Sequence, residues 1–135
     1  MKGSLGSLDA NILLRLVLND VADQHKMALR LVDGSDGHFE VADTAFIEVA
    51  FVLERDYKFA RSEIQETIEG IISSPKINCN LNLFTKALPL FIAHRSLSFE
   101  DCCLAVYAEQ NDAQPLWTFD QQLAKHAPQA KLLTV

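Results

Sequence analysis

The 135-residue sequence is poor in the residues that would make a small stapled or zinc-held domain. Its three cysteines are Cys79, Cys102 and Cys103. The number is odd, two are adjacent and no C-x-x-C occurs, which excludes a zinc ribbon and argues against a secreted disulfide framework. The four histidines, at 25, 38, 94 and 126, show no metal-ligand spacing. Five glycines and four prolines are too few for a collagen-like or low-complexity chain. Basic charge is also short. Twelve Lys and Arg against eighteen Asp and Glu leave −6 at neutral pH, so there is no global basic footprint for nucleic acid. A polyanion would have to be met by a local patch or by bound cations. The most apolar helical run, 45–53, is broken by Glu48 and falls well short of the ~20 residues of a membrane span. The N-terminal stretch, with Lys2, Gly3 and Ser4 before Asp9, lacks the apolar block of a leader peptide. The expectation is a chain with no membrane association in the reducing cytoplasm, its thiols serving as small core hydrophobes.

The composition is 49% hydrophobic and 22% charged. The length fits one domain over residues 1–135 and suffices for a core without staples. Short β-like runs alternate with longer helical patterns. Strands are expected at 4–9, 38–42, 76–80, 116–119 and 131–135. Helices are expected at 11–18, 20–32, 43–55, 62–73, 81–95, 98–110 and 120–126. Ser62-x-x-Gln65 and Ser98-x-x-Asp101 read as capping boxes. Pro89 predicts a kink or break, and Trp117, in an apolar run, is assigned to the core. The alternation implies parallel pairing in an α/β fold, a three-layer α/β/α sandwich around a central, mostly parallel sheet.

Most of the eighteen carboxylates have an ordinary place on wet helix faces or in turns. Four ask for more. Glu48 is the only charge between Asp43 and Glu54 in a run that reads as a buried helix. Burying its carboxylate is costly unless it is paired or metal-bound. Asp9 and Asp120 each follow a predicted strand and precede a helix, and either could be a plain N-cap. Asp101 falls in the first turn of its helix. Ligand sites of open α/β sheets form beyond the carboxyl ends of the strands, so these acids point to one region. Clustered like charges with no partner cation in the motif suit an all-oxygen site for Mg²⁺ or Mn²⁺ rather than Zn²⁺.

The segments L-D-A-N-I-L-L-R at 8–15, F-I-E-V-A at 46–50, S-F-E-D-C-C-L-A at 98–105 and T-F-D-Q-Q-L-A at 118–124 resemble the PIN-domain family, in particular the VapC-type toxin ribonucleases of toxin–antitoxin pairs. The likeness covers essentially the whole chain and lies in order and spacing. It implies a PIN-like parallel α/β/α fold and an endoribonuclease dependent on Mg²⁺ or Mn²⁺, with Asp9, Glu48, Asp101 and Asp120 as metal-binding catalytic acids. Asn11 and Thr118 would orient a ligand or water, and Arg15 would contact phosphate or antitoxin unless it simply pairs with a carboxylate. It further implies an RNA substrate, a small antitoxin partner and a homodimer. Two departures stand out: Ser98 occupies a position where many relatives have Asp, and Cys102-Cys103 replaces small residues.

A catalytically silent PIN-like RNA-binding or scaffolding module, its acids serving only as caps, is the alternative. A phosphotransfer enzyme of the haloacid dehalogenase type fits less well, because Asn11 stands where that family has its second Asp. A receiver domain likewise lacks its paired early acids and its lysine.

Overall fold

Gly6 sets how the chain enters the fold. The computed structural model describes residues 3–135; Lys2, part of the N-terminal reading above, lies outside them. The first strand, β1 (Ser4–Ser7), pairs in parallel with β2 (His38–Glu40). Ser4 stands opposite His38 and Ser7 opposite Glu40, so β1 carries one extra residue. Gly6 absorbs it at φ 129°, a conformation that side-chain-bearing residues resist. Beyond the irregularity, the Leu8 amide donates to the Glu40 carbonyl at 3.0 Å, which anchors the strand end that Asp9 follows.

The chain forms two units, Met1–Asn80 and Leu81–Val135. In the first, β1, β2 and β3 (Ile77–Asn78) form a parallel sheet in that order. Parallel neighbours need crossovers, and four helices supply them: α1 (Ala10–Val17), α2 (Ala22–Asp33), α3 (Asp43–Arg55) and α4 (Arg61–Ile72). Helix α1 packs on α2 and α3, and α3 on α4. Leu13, Phe46, Val49, Leu53, Ile64 and Ile68 are fully buried among these helices. Lys76 closes the C-terminal end of α2. Its Nζ donates to the carbonyls of Val32 and Asp33, each at 3.3 Å, and to that of Ser35.

Helix α3 has the expected bounds but not the expected burial. Phe46, Val49, Ala50 and Leu53 form its buried stripe, at helical spacing. Thr44, Glu48 and Phe51 share the opposite, exposed face, with Phe51 49% exposed. Glu48 is therefore not a buried charge. Helix α4 also starts differently. Ala60, not Ser62, precedes its first turn, and Glu63 accepts from the Ala60 amide at 2.8 Å, half of a capping box two residues earlier than expected.

The second unit holds α5 (Leu81–Ala93), α6 (Phe99–Gln110), β4 (Leu116–Thr118), α7 (Gln121–His126) and β5 (Ala130–Leu132). Strands β4 and β5 pair in parallel, so every strand pair among the described residues is parallel and the chain is a mixed α/β fold. Helix α5 runs through Pro89 without a break. Helices α5 and α6 meet at an aromatic cluster: Phe99 stacks on Phe84 at 6.0 Å and meets Phe91 edge-on at 5.4 Å. Cys102 and Cys103 are buried as small core residues. Trp117 is not core. It is 56% exposed, with the Lys131 ammonium 5.6 Å from its ring on the neighbouring strand. Among the described residues, no helix is long and apolar enough to cross a membrane.

Candidate functional site

Asp9 is placed by the strand end that Leu8 anchors. It is the N-cap of α1, and its Oδ1 accepts from the Ile12 amide at 3.0 Å. One carboxylate oxygen is thus committed to the backbone, while Oδ2 has no hydrogen-bond partner among the described residues. Glu48 projects from the exposed face of α3 and forms no ion pair or hydrogen bond among the described residues. Both side chains line one cleft of about 1290 Å³. Asn11 and Arg15 of α1, Thr44 of α3 and Gln24 of α2 line it too. Met27 and Leu31 of α2 form its apolar side.

Arg15 is the cation in this cleft, and it is held by other groups. Its Nη1 lies 2.9 Å from Asp20 Oδ1, and its Nη2 donates to the Tyr57 hydroxyl at 3.2 Å. The Tyr57 hydroxyl in turn donates to Asp20 Oδ2 at 2.5 Å, closing a ring of three side chains. Asp20 follows the helix that Asp9 opens, and Tyr57 follows the helix that carries Glu48. His25 Nδ1 donates to the Arg15 carbonyl at 2.6 Å and fixes the backbone there. The Tyr57 hydrogen bond, helped by the charge of Arg15, holds the Asp20 carboxyl below its ordinary range. Sequence reading named Arg15 and missed Asp20 and Tyr57. Asp20, five residues after Arg15, was visible as a near partner; Tyr57 comes from a different crossover and gave no local signal.

Asp101 and Asp120 belong to the second unit. Ser98 caps α6 by accepting from the Asp101 amide at 3.1 Å. The reciprocal bond of a full capping box is not made, and the Asp101 carboxylate has no hydrogen bond among the described residues. Asp120 caps α7, with Oδ1 accepting from the amides of Gln122 at 2.9 Å and Leu123 at 3.1 Å. Its own amide donates to Thr118 Oγ1 at 2.9 Å, so Thr118 sets the turn that aims Asp120.

These groups fit a hard divalent cation by chemistry. In the first unit Asp9 and Glu48 offer carboxylate oxygens and Asn11 an amide oxygen; in the second, Asp101 and Asp120 offer carboxylates of their own. In the first unit Arg15 pairs with Asp20, and no hydrogen bond or ion pair joins it to Asp9 or Glu48 among the described residues. No group of three or more His, Cys, Asp or Glu side chains is assembled for an ion among the described residues.

Comparison with known proteins adds two findings. The chain matches the PIN domain over residues 7–128. It is also 27% identical, over 85 residues, to a VapC ribonuclease of Aquifex aeolicus (strain VF5). That alignment covers 63% of this chain and 63% of the relative's own length.

Proposed function

This chain belongs to the PIN-domain family, and we propose that it is a divalent-metal-dependent endoribonuclease, the toxin of a type II toxin–antitoxin pair. The observation that carries the reading is the cleft shared by Asp9 and Glu48, in which the guanidinium of Arg15 is engaged by Asp20 rather than by either acid. The family match runs from residue 7 to residue 128 and takes in both units, so one PIN-like domain over residues 1–135 is part of the proposal.

On this reading Asp9, Glu48, Asp101 and Asp120 hold Mg²⁺ or Mn²⁺ directly or through water. When bound, such an ion lowers the pKa of a coordinated water and offsets charge on the phosphate. The chain's own residues supply the rest. Asp9 presents its uncommitted oxygen from a cap that fixes the other. Thr118 holds the Asp120 turn. Asn11 orients a ligand or water in the cleft, and Arg15 offers its remaining N–H donors to an RNA phosphate. A net charge of −6 fits a protein that meets RNA through a cation at one place. The proposal includes a small antitoxin partner, a homodimer and a cytoplasmic location. An odd number of cysteines, two of them adjacent and no C-x-x-C, supports a reducing compartment.

The capping bonds of Asp9 and Asp120 favour the second reading, a silent PIN-like RNA-binding or scaffolding module. Incubation of the full chain with single-stranded RNA separates the two. The nuclease reading expects cleavage with Mg²⁺ or Mn²⁺, abolished by chelation and by Asp9→Asn or Glu48→Gln. Cleavage that survives in both variants contradicts it.

A further inference from the structure

We propose that Asp20 and Tyr57 are positioning residues that keep the Arg15 guanidinium off Asp9 and Glu48, and so keep the cleft open to a divalent cation. The inference rests on the nuclease reading and deepens it. Among the described residues Arg15 is the only guanidinium lining the cleft, and its side chain is 13% exposed. A partly buried guanidinium draws the nearest carboxylate. Two other acids, Asp9 and Glu48, line the same cleft. Asp20 holds the guanidinium at 2.9 Å, and Tyr57 makes that pairing geometric as well as electrostatic. The tyrosine hydroxyl accepts from Arg15 and donates to Asp20, so both partners are held in one orientation. The ring joins the ends of the two helices that carry Asp9 and Glu48.

Without Asp20, Arg15 is left partly buried in a cleft that Asp9 and Glu48 also line. It would pair with one of them, and a metal would have to displace it. Asp20 therefore matters to cation binding although it lines no part of the cleft itself.

The test is Mn²⁺ binding by the full chain, read by the loss of the free Mn²⁺ signal in electron paramagnetic resonance, with no RNA present. The Asp20→Asn variant should bind Mn²⁺ about tenfold more weakly than wild type, the scale of one modest competing ion pair. Tyr57→Phe should show a smaller loss in the same direction. The Asp20→Asn/Arg15→Ala double variant should regain the wild-type affinity, because the competitor is gone. A merely structural role for Asp20 would not be rescued by removing Arg15. Binding undiminished in Asp20→Asn, or a double variant as weak as the single one, overturns the inference. Absence of Mn²⁺ binding in wild type overturns the nuclease reading and this inference with it. Should Asp20→Asn fail to fold, Tyr57→Phe and Tyr57→Phe/Arg15→Ala carry the same comparison.

Discussion

Asp9 opens α1 and Glu48 stands midway along α3, yet both residues line one cleft whose only guanidinium among the described residues is bound to Asp20. Two roles meet in Asp9, which caps a helix with one oxygen and leaves the other uncommitted. The roles can be separated. Asparagine caps about as well as aspartate, whereas alanine costs about 1 kcal/mol. Asp9→Asn should leave the melting temperature of the metal-free protein nearly unchanged and remove RNA cleavage. Asp9→Ala should lose both stability and cleavage. Calorimetric melts alongside a cleavage assay check this, and an active Asp9→Asn contradicts the ligand role.

Ser98 gives the opposite case. It caps α6 through the Asp101 amide and carries no charge. Ser98→Ala should destabilise the chain by about 1 kcal/mol, measured by urea unfolding, and Ser98→Asp should restore the cap. Loss of more than a few kcal/mol on Ser98→Ala would mean that the residue does something other than cap.

The fold was largely legible because its signals are local. The bounds of α3, the Ser98 cap and the turn before α7 follow from side chains within a few residues of one another. Burial was less legible. Glu48 reads as buried because Phe51 and Ala45 are apolar, but Phe51 lies on the open side of the helix, and only the position of α1 and α4 against α3 decides that. Trp117 misleads in the same way, being apolar in type and exposed in place. The start of α4 was misplaced because Ser62 is a better cap by type than Ala60, while the Glu63 bond to the Ala60 amide settles the matter. In the site, the acids could be named one by one. The Arg15–Asp20–Tyr57 ring could not, since Tyr57 reaches Asp20 from the end of another helix.

Asp20 also sets a pH response. Its hydrogen bond from Tyr57, with help from Arg15, lowers its folded-state pKa below the ordinary 3.8. A carboxyl with a depressed folded pKa contributes stability that is present above its unfolded pKa and lost as pH falls through the folded value. Wild type should therefore lose this contribution as the pH drops below about 4, and Asp20→Asn should show a flatter acid limb. Melting temperature against pH for the two proteins checks this. Parallel acid limbs would contradict it.

The cysteines offer a test of packing. Cys102 and Cys103 are buried, and Cys79 is half-buried with its thiol pKa pushed up by burial and by the charge of Asp43. At pH 7.5 the native chain should react with a thiol reagent at no more than one site, and slowly, while the unfolded chain should expose all three. Rapid modification of two or more thiols in the native protein would contradict the packing of α6.

The most direct test of the central claim is calorimetric titration of Mn²⁺ into wild type and Glu48→Gln, in the absence of RNA. The expected result is saturable binding to wild type that falls at least about tenfold in Glu48→Gln, with both proteins folded. Equal binding by the two, or none by either, would contradict a cation held at the Asp9–Glu48 cleft.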